Sequence, residues 1–177
     1  MAITSTSFCQ SVDKLDERNG FKTIKLNEAL TMYKGKVQLF NKTPKVTVYT
    51  YVGNEPDLQK VFDVLLSDIT LYFDNISNKL TMIILRSEYT RDEYSGNHFI
   101  KASKDWQSIG DNFTSLFGGS SFKKDESYLK NSLIQTWIGN KVMMDLTLDY
   151  YGAGKYSEIL IRIANIAAIT KSTENGF

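Results

Sequence analysis

Hydrophobic residues recur at every second position along several stretches of this chain, and at every third or fourth along one. KVTVYTYV, residues 45 to 52, alternates strictly, with Val46, Val48, Thr50 and Val52 on one side and Thr47, Tyr49 and Tyr51 on the other. That period predicts a half-buried strand with its valines against the core. In DITLYFDNISNKLTMIILRSE, residues 68 to 88, Ile69, Leu71 and Phe73 share a face and DNISN is a polar turn. The return strand is more continuously apolar, which predicts a central position in a sheet. A β-rich segment is expected at 60 to 66, after the loop residues NEPD.

The helical period appears in HFIKASKDWQSIGDNFTSLFGG, where Phe99, Ala102, Trp106, Ile109, Phe113, Leu116 and Phe117 fall on one stripe. Gly118 and Gly119 are placed to end that helix, and Gly110 inside it costs about 1 kcal/mol relative to alanine. In FKTIKLNEALTMYKG, residues 21 to 35, a short extended piece precedes an expected helix with Asn27 as its cap and Gly35 as its stop. YTRDEYSGN (89 to 97) and FKKDESYLKN (122 to 131) read as polar connectors.

Towards the C-terminus, SLIQTWI and KVMMDLTLDYY flank Gly139-Asn140, a two-residue linker suited to a primed hairpin turn. Val142, Met144, Leu146, Leu148 and Tyr150 form one face of the second strand; Met143, Asp145, Thr147 and Asp149 form the other. GAG (152 to 154) turns the chain again, and Ile159, Ile161 and Ile163 continue the apolar face. Helices separated by runs of hairpins predict an α+β fold. The expected form is an antiparallel sheet of about six to seven strands with two helices on one face. The boundaries are an N-terminal segment at 1–17, one domain at 18–165 and a tail at 166–177. Residues 21–88 and 98–163 are candidate helix-plus-hairpin repeats, with Gly35 and Gly118 in corresponding places, although no residue-level identity links them.

The chain has 177 residues, 42% hydrophobic and 12% aromatic, enough apolar surface for one core without staples. Twenty-one basic and 20 acidic side chains leave a net charge of +1, so bulk charge draws it neither to nucleic acid nor to an anionic membrane. No run approaches the roughly 20 apolar residues of a transmembrane segment. Cys9 is the single cysteine and has no intramolecular disulfide partner. ITSTSFCQ, residues 3 to 10, reads either as the end of a cleaved secretory signal or as an ordinary disordered start. The first reading implies export to the periplasm or the medium, the second a cytoplasmic protein.

Common catalytic and cofactor signals are missing. His98 is the only histidine and begins a helix with no nucleophile motif around it. One histidine and one cysteine are too few for a structural zinc site, and no glycine-rich loop opens a helix after a strand. Asp145 and Asp149, four residues apart on a strand, would stand roughly 13 Å apart, beyond the span of about 5 to 9.5 Å used by glycosidase carboxylate pairs. We therefore expect no enzyme activity, no cofactor and no metal. The candidate site is instead the face of the sheet left open by the helices: Tyr49, Tyr51, Tyr72, Asp145, Thr147, Asp149 and Arg162. Tyrosines interspersed with charges suit recognition of a protein or a cell-envelope component.

The succession F-K-x-I-K-L, Y-F-D-N-x-x-x-K-L, a helix ending F-G-G, and W-I-G-N-K-V resembles small exported α+β proteins of Bacteroidetes-type bacteria, over residues 18 to 163. The helix-plus-antiparallel-sheet plan is also similar to the β-lactamase inhibitor protein and the small outer-membrane assembly lipoproteins. That second resemblance implies a binding protein by fold-level analogy. Neither resemblance assigns residues. The expectation is a non-catalytic exported binding domain, or else an immunity or enzyme-inhibitor-type protein acting by surface complementarity.

Overall fold

The computed structural model describes residues 9–90, 98–126, 130–151 and 156–169. The candidate signal remnant up to Phe8, most of the connector at 89–97, the GAG turn and the end of the tail lie outside these residues.

One eight-stranded antiparallel sheet organises the chain. Its first four strands are β3 (Val37–Lys42), β4 (Val46–Tyr51), β7 (Asp68–Asp74) and β8 (Leu80–Thr90). The other four are β9 (Ser121–Glu126), β10 (Lys130–Ile138), β11 (Val142–Tyr151) and β12 (Tyr156–Asn165). The spatial order is β3-β4-β7-β8-β12-β11-β10-β9. Each half of the chain thus lays down a four-stranded meander that starts at an outer edge and ends at the centre, where β8 pairs with β12. A helix precedes each meander: α1 (Cys9–Arg18) the first and α2 (His98–Phe117) the second. The apolar return strand of the 68–88 hairpin is central, as its composition required. The sheet exceeds the expected six to seven strands because both outermost strands, β3 and β9, carry almost no buried side chains. The stretch 122–131, expected as a loop, is mostly strand.

Helix α2 presses Ala102, Ile109 and Phe113 onto the sheet, and the Trp106 indole N–H donates to the Leu146 carbonyl at 3.3 Å. Gly110 lies against the Gln135 side chain of β10; a Cβ there would stand 2.3 Å from its side-chain oxygen. Gly118, at φ 84°, ends the helix as the sequence indicates. Helix α1 sits on the same side, with Leu15 in the core. Its Asp16 carboxylate accepts the backbone N–H groups of Asn140, Lys141 and Val142 at 2.8, 2.9 and 3.0 Å. The first helix thereby pins the β10–β11 turn. Asn19, left-handed at φ 44°, closes α1.

The helix expected after Asn27 does not form. Asn27 is itself left-handed at φ 69°, and its N–H donates to the Leu80 carbonyl at 2.8 Å. Leu30 N–H donates to the Asn78 carbonyl, and Leu80 N–H to the Glu28 carbonyl. Backbone groups that a helix would use internally are spent on the β7–β8 hairpin, and only a 3-10 turn remains at Leu30–Tyr33. Two small hairpins complete the covered side: β1–β2 (Gly20–Phe21 with Ile24–Lys25) and β5–β6 (Lys60–Val61 with Val64–Leu65). No helix among the described residues is long and apolar enough to cross a membrane.

Candidate binding surface

The helices and small hairpins gather on one face of the sheet, so the strand register fixes which side chains point the other way. Four rows of paired residues cross that second face. The outermost runs Val48, Tyr72, Met82, Ala164, Met143. Next comes Thr50, Thr70, Ile84, Arg162, Asp145, Thr136. A third holds Asp68, Arg86, Leu160, Thr147, Ile134, Lys123, and a fourth Glu88, Glu158, Asp149, Ser132, Asp125.

Tyr72, Asp145, Thr147, Asp149 and Arg162 therefore share one surface, as the alternation predicts. Tyr49 and Tyr51 do not. Tyr49 pairs with the fully buried Leu71 and meets the Phe73 ring edge-on at 5.7 Å, on the covered face. Tyr51 packs against the same core and donates its hydroxyl to Glu55 at 2.7 Å. The valines of β4 take the uncovered side instead, Val48 opposite Tyr72. The larger aromatic rings fill the space under Tyr33, whose ring lies 5.8 Å from that of Phe73. Packing volume, not the apolar character of valine, sets the direction of β4.

The charged groups of the uncovered face are tied to one another. Asp145, only 7% exposed, accepts from Thr136 at 2.7 Å and from both Nε (2.8 Å) and Nη2 of Arg162. Asp149, 1% exposed, accepts the Ser132 hydroxyl. Glu158 accepts the hydroxyls of Tyr151 at 2.8 Å and Tyr156 at 2.9 Å. Arg86 stands 3.5 Å from Glu158 and 3.7 Å from each of Asp68 and Glu88. The two acids proposed from sequence thus have separate partners in separate rows.

Glu158 directly opposes both Asp149 and Glu88. Like charges in such positions repel, and Arg86 with the two tyrosine hydroxyls offsets that. Burial, reinforced by the Glu158 hydrogen bond, pushes the Tyr151 hydroxyl up to about 12, and Tyr156 moves the same way. Burial also raises Tyr72. Among the described residues no three acidic, histidine or cysteine side chains form a metal-binding group.

Sequence reasoning passed over Arg86, Glu158, Leu160 and Ile84, which form the middle of this surface. The signal was available: Glu158, Leu160 and Arg162 alternate with Ile159, Ile161 and Ile163. Comparison of the chain with protein-family models, with curated proteins and with solved structures finds no match.

Proposed function

We propose that this protein is a non-catalytic binding domain whose uncovered sheet face docks a partner protein with a basic surface. The observation that carries this reading is a band of half-buried apolar side chains, Met82, Ile84, Leu160 and Ile134, covered by no described helix and bordered by charge. An apolar centre with a polar rim is the anatomy of a protein interface. Asp68, Glu88 and Asp125 stand beside the cations Arg86, Lys123 and Arg162, and the buried carboxylates Asp145, Asp149 and Glu158 beneath them leave the face with a net negative field, which favours a partner with Lys and Arg at its contact surface. Sheet strands hold these side chains rigidly, so little ordering entropy opposes docking. An inhibitor-type protein would use the same face, the difference being that its partner loses activity when bound.

A photo-crosslinking side chain at Thr70, on the uncovered face, tests this against one at Lys104, on α2. In the cells that make the protein, Thr70 should yield one discrete heteromeric adduct, weakened by high salt and by Asp68→Asn with Glu88→Gln. Self-adducts alone, or equal yields from both positions, would defeat the reading.

A further inference from the structure

On the covered face, independent of the surface just described, lies a cavity of about 230 Å³ at the junction of the two meanders. Its floor is Leu85 of β8, Ile163 of β12 and Met144 of β11, all buried. Phe113 and Phe117 of α2 and Leu15 of α1 wall it in, and the hairpin residues Phe21, Val61 and Phe62 complete it. Among its lining residues, the charged ones are Arg18, Lys22 and Lys25.

In their hydrogen bonds and ring contact these three cations meet neutral groups. Lys22 donates to the backbone carbonyls of Asp57 and, at 2.8 Å, Lys60. Lys25 donates to the Arg18 carbonyl at 2.7 Å, and the Arg18 guanidinium stands over the Phe117 ring at 5.7 Å. No carboxylate lies within ion-pair distance of any of them among the described residues. Burial lowers the Lys22 ammonium below its ordinary value, against the opposing pull of Asp57. Lys22 and Phe62 hold left-handed conformations at φ 52°, each in the two-residue loop of a small hairpin. Two-residue hairpin loops require that conformation.

We propose that this cavity binds a small apolar monocarboxylic acid, its hydrocarbon body over Leu85, Met144 and Ile163 and its carboxylate among Arg18, Lys22 and Lys25. A cavity of about 150 Å³ accommodates benzene, so this one takes a body of about nine heavy atoms, the size of an eight-carbon chain or a phenylpropanoid. The apolar well supplies affinity through burial, and the cations select the charge.

The test is calorimetric titration of the full chain with octanoate and 3-phenylpropanoate, beside octanol and octylammonium at matched ionic strength. Either or both acids should bind with a negative heat-capacity change, at least tenfold more tightly than octanol, and octylammonium should not bind. Which acid binds more tightly tells a lipid-derived from an aromatic source. Lys25→Gln and Lys22→Asn should each weaken the acids at least fivefold and leave octanol unchanged; asparagine suits the left-handed position, so folding is preserved. Contacts between the bound acid and the Met144 methyl group, read by NMR, provide a measure that needs no variant. No acid binding at millimolar concentration, equal binding of octanol or octylammonium, insensitivity to both substitutions, or contacts elsewhere would each overturn the proposal.

Discussion

At the scale of single residues, burial decides what each charge is worth. Asp145 is nearly inaccessible, whereas the Arg162 side chain that holds it is 44% exposed. Exposed ion pairs are worth about 0 to 1 kcal/mol, and stripping a partner from a fully buried charge costs about 3 to 5 kcal/mol. Thr136 would still serve Asp145 if the guanidinium were lost. Arg162→Met should therefore cost an intermediate amount, about 2 kcal/mol, measured by urea unfolding. Adding Asp145→Asn should recover more than half of it, because the uncompensated charge is removed. A loss below about 0.5 kcal/mol, or no recovery, means the pair does not hold the strands. Asp145, Thr147, Asp149 and Arg162 were placed correctly by alternation alone. Tyr49 and Tyr51 were not, because both faces of β4 are largely filled and period two cannot say which face is the core.

At the scale of elements, legibility follows burial asymmetry. The β7–β8 hairpin and α2 each have one buried and one wetter side, and each was readable. The β10–β11 hairpin was too, but its turn is not the expected primed Gly139-Asn140 linker. Gly139 N–H donates to the Val142 carbonyl at 2.8 Å, leaving Asn140 and Lys141 as the loop, and none of the three is left-handed. The edge strands were not. β9 exposes all six of its described side chains and β3 all but one, so neither has a hydrophobic period. Helix α1 escaped because Leu15 is its one described core residue and its anchor, Asp16, acts on a turn far away in sequence. The two edges protect themselves differently. β9 alternates charges, with Lys123 beside Asp125 and Lys124 beside Glu126, which discourages pairing with another sheet. β3 relies on a register shift between Leu39 and Asn41, yet leaves Phe40 73% exposed and Leu39 57% exposed. That edge is where self-association should begin. Phe40→Lys should reduce light scattering on concentration or heating several-fold and leave the urea midpoint within about 0.5 kcal/mol of the parent. Unchanged scattering would move the weak point elsewhere.

At the scale of the whole molecule, the two meanders share one chemical device: tyrosine hydroxyls paired with carboxylates. Tyr33 bonds Glu28 and Tyr51 bonds Glu55 in the first half. Tyr89 of β8 reaches Asp105 of α2 at 2.8 Å, and Tyr151 and Tyr156 share Glu158. In every case burial raises the hydroxyl first and the carboxylate raises it further, to about 12 for Tyr51 and Tyr151 and beyond for the others. The folded state therefore favours neutral tyrosine. Its stabilisation is complete below the unfolded value of about 10 and is lost as pH rises through the folded values. At the acid end, Glu55 is lowered to about 2 by hydrogen bonds from Lys36 and Tyr51, but it is exposed and screened, so its contribution is small. Alkali, not mild acid, should be the limit of this fold. The urea midpoint should stay level from about pH 7 to 9.5 and fall steeply between about 10 and 12. Absorbance of tyrosinate should show a late-ionising set that appears together with loss of the sheet's circular dichroism. Tyr151→Phe with Tyr156→Phe should lower the midpoint at pH 7 to 9.5, because Glu158 loses both hydroxyls, and make its fall above pH 10 shallower, since phenylalanine cannot ionise in the unfolded chain. If all the tyrosines ionise near pH 10 with the sheet intact, the carboxylate pairs are not what joins the two halves to their surroundings.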